Sequence, residues 1–243
     1  MMIRVWLACV IGLLGIFSTH YVSAQPSSEL RDAQTQVQDM FKRQLYVEAV
    51  PYAEEAVRIS EMEFGVEHPT TATLIFNLGK LFYLQSRYKE AELMYKRALM
   101  IRERAFGNAH PEVAASYNSL GRLYAEQGQL IDAESHYSKA LDVMTLVLAD
   151  NPHVINSNSR TATTYRAQAY HNRARLFHQQ GKYVDAENLF GAALVILRST
   201  FGEKHSEVAR GYENYAMLLR DMGRVDEAME KEGYARTIRS HSR

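Results

Sequence analysis

Residues Ala72–Val113, ATLIFNLGKLFYLQSRYKEAELMYKRALMIRERAFGNAHPEV, decide the fold, because the next 42 residues restate them. Ala114–Ile155 reads AASYNSLGRLYAEQGQLIDAESHYSKALDVMTLVLADNPHVI, and Gly79, Ala91 and Ala98 return as Gly121, Ala133 and Ala140. The pattern reaches back to Ala49 and Ala56 and forward to Ala186, Ala193, Ala228 and Ala235. Self-similarity at a fixed period of this length marks a stacked array of small units, none of which can bury its apolar face alone.

Within the unit, Ile75, Leu78, Gly79 and Phe82 fall on one stripe at helical spacing. Gln85-Ser86-Arg87 breaks the apolar pattern, and Tyr88 restarts it with Ala91, Tyr95, Ala98 and Leu99. The spacing predicts two amphipathic helices packed antiparallel across a tight turn. Small residues at Gly79, Ala91 and Ala98 let the helices approach closely, and Phe82 and Tyr95 fill the space around them. The unit closes with Phe106-Gly107-Asn108-Ala109-His110-Pro111. Here Gly107 suits the left-handed position that ends a helix, and Pro111 the first turn of the next.

Ile75, Leu78, Gly79, Phe82, Ala91, Tyr95 and Ala98 resemble the signature of the tetratricopeptide repeat (TPR) family. The 42-residue period and the linker Phe64-Gly65-Val66-Glu67-His68-Pro69, repeated at Phe106–Pro111 and partly at Phe201–Ser206, resemble the kinesin-light-chain type of that repeat. The resemblance covers about residues 30–243. It implies an all-α, right-handed superhelical solenoid of antiparallel helix pairs, whose first helices line a concave groove for extended peptides or partner helices.

The units run at about 30–71, 72–113, 114–155, 167–208 and 209–243. In the first, Val37 stands in the place of Gly79 and Ala53 in that of Tyr95, as suits a terminal repeat with one face to water. In the fourth, Arg173 takes the usual Leu place. The polar second helix of the fifth, with Glu230, Lys231, Glu232 and Gly233, reads as a C-terminal cap. Between Ala133 and Ala186 the spacing grows to 53 residues, which adds 11 around Asn156–Arg166, NSNSRTATTYR. Its Ser, Thr and Asn content favours a surface loop. Eleven residues are also close to three helical turns, so they could lengthen the following helix without changing its buried face.

Met1–Ala24 reads as a secretory signal peptide: Arg4, an apolar run from Val5 to Phe17, then Val22-Ser23-Ala24 before Gln25. The run is short for a membrane span. Cleavage would remove Cys9, the one cysteine. The mature chain, 25–243, would then have no disulfide, thiol chemistry or thiolate metal site, and no membrane span. A periplasmic or secreted location follows from this reading. Twenty-eight Lys plus Arg balance 28 Asp plus Glu, which argues against nucleic-acid binding by bulk charge.

Catalytic and metal motifs do not emerge. His68, His110 and His205 recur at equivalent linker positions and read as turn residues. His171 and His178 share a face two turns apart, about 10 Å, too far for one ion without further ligands. There is no His-Glu-x-x-His, phosphate loop or nucleophile elbow. The reading is therefore a non-enzymatic interaction protein without cofactor or metal.

The first-helix face opposite the buried stripe carries the candidate site: Phe76, Asn77, Lys80 and Tyr83 in the second unit, Asn118 and Arg122 in the third, His171, Asn172 and Arg175 in the fourth, Asn214 in the fifth. Lys80, Arg122 and Arg175 form a basic column, and Asn77, Asn172 and Asn214 a second, with Ser119 in its gap. The resemblance implies that such asparagines bond a bound peptide's backbone and their basic neighbours hold carboxylates. Arginine's planar fork suits a carboxylate. The expected partner is a protein, met through an acidic segment or a C-terminal carboxylate, with Phe76 and Tyr83 as apolar anchors. Glu126, Glu213 and Asp221 dilute the basic field. The alternative is a sensing or regulatory module that binds a peptide signal or a glycan.

Overall fold

The computed structural model describes residues 25–149 and 157–241, so the signal-peptide reading of Met1–Ala24 lies outside the described residues. The described chain is ten α-helices with no strand: α1 (Ser28–Lys42), α2 (Tyr46–Glu63), α3 (Pro69–Leu84), α4 (Tyr88–Phe106), α5 (Pro111–Glu126), α6 (Leu130–Ala149), α7 (Ser157–Gln179), α8 (Tyr183–Phe201), α9 (Ser206–Asp221) and α10 (Val225–His241). Each helix packs on the next in sequence, and α5 also packs on α7. No helix among the described residues is long and apolar enough to cross a membrane.

The repeated small residues sit at the seams. Ala49, Ala91, Ala98, Ala133 and Ala186 are wholly buried, and Ala140, Ala193 and Ala235 nearly so. A Cβ on Gly79 would come 2.9 Å from the Tyr95 ring, and one on Gly121 2.7 Å from the Tyr137 ring. Only hydrogen fits there, so the glycine and the aromatic of each unit are one device: the ring fills what the missing side chain leaves.

The linker histidines are helix caps. His68, His110 and His205 sit in extended backbone before α3, α5 and α9, and each Nδ1 accepts the amide two residues on. The bonds from Thr70, Glu112 and Glu207 are 3.1, 3.2 and 3.2 Å. Each ring also stacks on the phenylalanine four residues earlier, with centroids 5.1, 4.1 and 4.5 Å apart. The intervening Gly65, Gly107 and Gly202 take positive φ, which glycine adopts without strain. The Phe-Gly-x-x-His linker is thus a turn, a cap and a ring stack in five residues, and it occurs three times.

The loop favoured for Asn156–Arg166 is corrected from Ser157 onward. Helix α7 starts there and is 23 residues long, against 16 for α3, α5 and α9. The physical reason is Ala162. It is wholly buried with Val113, Ala114 and Met144, so the added turns carry their own apolar contact. Arg173, in the usual leucine place, packs its guanidinium 5.0 Å from the centre of the Phe177 ring and reaches Glu134 at 3.3 Å.

At the C-terminal end α10 turns Ala228, Ala235 and Ile238 inward. Its outer side carries ion pairs, Arg220–Glu232 at 2.8 Å and Arg239–Glu213 at 2.6 Å.

Candidate functional site

Six of the sequence-derived residues meet in one cleft. Asn118 and Arg122 on α5, His171, Asn172 and Arg175 on α7, and Asn214 on α9 line a space of 510 Å³. They converge because α5, α7 and α9 are the first helices of consecutive units, so equivalent positions stand side by side.

The asparagines are partly engaged. Asn172 donates to Asn118 Oδ1 at 3.0 Å, and Asn118 is buried at 7% exposure. Asn214 donates to the Arg210 carbonyl one turn back, at 2.8 Å. The carbonyl oxygens of Asn172 and Asn214 accept no bond among the described side-chain contacts, so the column offers acceptors to the cleft.

Among the described residues no carboxylate lies within ion-pair distance of Arg122 or Arg175. Arg122 lies 4.9 Å from the centre of the Tyr83 ring. Arg210, on α9, is a third guanidinium of the cleft, paired with Glu207. Glu213 also lines the cleft, but Arg239 holds it through two bonds of 2.6 and 2.7 Å. The acids present are therefore already matched, and the unmatched charge is positive. Arg210 was legible in principle, since it stands 42 residues after Gln168, itself on the groove face.

His171 sits edge-on to Phe190, with centroids 5.4 Å apart. Burial, and after it the charges of Arg210 and Arg175, push its pKa down to about 4. At neutral pH its imidazole is uncharged and can donate or accept one hydrogen bond.

The other four residues lie elsewhere. Phe76 is half-buried, its ring 5.1 Å from that of Tyr95 and 4.4 Å beneath the Arg102 guanidinium, so packing already uses it. Arg102, 2% exposed, pairs with Glu112 at 2.6 Å and donates to Ser116 at 2.8 Å. Tyr83 bridges Tyr88 and Arg122. Lys80 lies over the Phe41 ring at 4.5 Å. Crowding by the groove wall, and after it the charge of Arg122, lowers the Lys80 pKa. Asn77 borders a smaller cleft of 140 Å³ between α1, α2 and α3. Among the described residues no group of three or more His, Cys, Asp or Glu stands close enough to hold a metal ion.

The sequence profile of the tetratricopeptide repeat family matches residues 36–104, 94–145 and 165–232. These cover well over half of the chain, which therefore belongs to the tetratricopeptide repeat family. No curated protein matches it in sequence. Among solved structures it is similar to BtubC (BKLC) from P. vanneervenii, at 18% identity and TM-score 0.69 over 88% of this chain and 80% of that one. A putative kinesin light chain from Podosopora anserina, with nearly identical TPR-like repeats, aligns at 21% identity and TM-score 0.62 over 90% and 98%. The Rap conjugation gene regulator of plasmid pLS20, solved in complex with the Phr* peptide, aligns at 17% identity and TM-score 0.68 over 88% and 54%. At these identities the likeness is one of fold.

Proposed function

We propose that this protein is a non-catalytic interaction scaffold that holds a partner protein in its concave groove, through an acidic segment or a C-terminal carboxylate. One observation carries the reading: Arg122 and Arg175 stand in the same cleft with no carboxylate partner among the described residues. Two guanidiniums without counter-ions, next to hydrogen-bonding asparagines, are complementary to a carboxylate rather than to an apolar helix. With the signal-peptide pattern of Met1–Ala24, the reading is of an adaptor exported to the cell envelope, periplasmic or secreted. A sensing module that takes a peptide signal is the second reading, favoured by the likeness in fold to a regulator solved with a bound peptide. Glycan binding ranks lower, because the aromatics on this face, Phe76 and Tyr83, lie outside the main cleft and are packed on neighbours.

The test is affinity capture from an envelope extract of the source organism with residues 25–243 as bait, beside Arg122→Glu with Arg175→Glu. A protein retained by the wild type and lost by the double variant, at unchanged helicity and melting temperature, supports the reading. Equal retention by both overturns it.

A further inference from the structure

The cleft between α1, α2 and α3 has a different chemistry from the cationic one. It is floored by Val37, Ala53, Ala56 and Leu74 and rimmed by neutral Gln38 and Asn77. Ala53, Ala56 and Leu74 are buried beneath it, and Val37 is half-buried. The cleft exists because of sequence. Ala53 stands where later units carry Tyr95 and Tyr137, so no ring fills this seam, and Val37 in place of glycine only partly compensates. Its 140 Å³ is room for a single apolar side chain, not for a helix face.

Between the two clefts the groove wall is basic. Lys80 sits over Phe41 of the first unit, Arg122 over Tyr83 of the second, and Arg122 already belongs to the second cleft. Lys80 and Arg122 are near enough that the charge of one lowers the pKa of the other. An apolar socket, a basic wall and a cationic cleft follow one another along successive first helices.

Resting on the reading of the groove given above, we infer that the partner's binding element is one extended segment with two anchors: an aliphatic side chain seated between α1 and α3, and acidic groups that reach Lys80, Arg122 and Arg175. Charge complementarity argues for the acidic part, and the ring-free lining of Val37, Ala53, Ala56 and Leu74 argues for a single aliphatic side chain in the first cleft. Packed helices stand about 8–10 Å apart, and of the first helices only α5 and α7 are packed on each other, so the two to two and a half steps between the anchors span at least about 20 Å. An extended chain advances about 3.3 Å per residue, so the anchors are at least about six residues apart. A free amino acid, a glycan or a short acidic ligand would engage only one of the two sites.

The probes are fluorescein-labelled peptides with one leucine, a spacer of two to ten alternating Ser and Gly residues, and a terminal Asp-Asp pair. Both chain orders and leucine-to-alanine controls are included, and binding to residues 25–243 is read by anisotropy. Leucine is expected to tighten binding about tenfold over alanine at spacers of about six or more, and not at shorter ones, in one chain order. Val37→Asp, and separately Asn77→Trp at the exposed rim, remove that gain while alanine peptides bind as before. Unchanged melting temperatures show that both variants fold. Acidic peptides that bind equally well with alanine or leucine at every spacing overturn the two-anchor inference and leave the cationic groove standing. A leucine gain that survives both variants also overturns it. If no acidic peptide binds, or Arg122→Glu with Arg175→Glu changes nothing, the underlying reading of the groove falls as well.

Discussion

Asn172 on α7 donates its side-chain amide to the carbonyl oxygen of Asn118 on α5, 3.0 Å away and 54 positions apart in sequence. The bond ties two consecutive first helices together at the floor of the cationic cleft and fixes which groups of the pair face the ligand. Asn118→Ala removes the acceptor and leaves the Asn172 amide to water in the open cleft. The expected cost is about 1 kcal/mol, read as a fall in the denaturant midpoint at unchanged slope. A midpoint identical to wild type would show that the bond does not hold the two helices.

The glycine-and-ring device makes a sharper stability prediction. Gly121→Ala places a methyl group 2.7 Å from the buried Tyr137 ring, so ring or helix must shift, at a cost of about 1–3 kcal/mol. Gly191→Ala meets no atom within 4 Å, and in a helix it is expected to stabilise by about 0.5–1 kcal/mol. Opposite signs from the same chemical change, measured by urea unfolding, check the seam directly.

Arg102 and Glu112 respond unequally. Arg102 is 2% exposed and its pair with Glu112 is partly screened, Glu112 being 33% exposed. Glu112→Ala strands a buried guanidinium that keeps its bonds to Ser116 and the residue-112 carbonyl and its contact with the Phe76 ring, and is expected to cost about 2–3 kcal/mol. Arg102→Met removes the charge with its desolvation and is expected to cost under about 1 kcal/mol. Equal losses in thermal unfolding would contradict this account of the seam.

His171 links stability to pH. Its pKa is held at about 4 in the folded protein and returns to about 6.5 on unfolding. The unfolded chain therefore binds the proton more readily. The contribution is complete above pH 6.5, declines as pH falls through that value, and is exhausted below about 4. Because the side chain is only partly buried, the loss between pH 7 and 4 is on the order of 1–3 kcal/mol. His171→Gln, which cannot be protonated, flattens the stability profile in that window. A variant that tracks wild type throughout would remove His171 from the acid response.

The fold was legible because it is periodic: one alignment of Ala72–Val113 with Ala114–Ile155 places the seams and linkers. The roles of His68, His110 and His205 as turn residues followed from the same period, although the ring stack on each phenylalanine appears only in three dimensions. The added segment was legible only as two alternatives: its Ser, Thr and Asn content favoured a loop and its length a helix extension, and the buried Ala162 goes with the helix. Half the site was readable for the same reason as the fold, since column positions become neighbours. Phe76 was not, because its place under Arg102 depends on a bulky buried residue of the next helix that no period announces. Arg210 was overlooked because the basic column was followed along one helical position, while the cleft gathers two.

The most direct test of the groove as the partner site is photo-crosslinking. p-Benzoylphenylalanine at Met217, an exposed side chain in the cleft, is compared with the same probe at Val195, exposed on α8 and outside it. Each protein is irradiated with the captured envelope partner. The account predicts an adduct from position 217 that is lost with Arg122→Glu and Arg175→Glu, and none from position 195. An adduct from 195 with none from 217 would place the partner outside the cleft and contradict it.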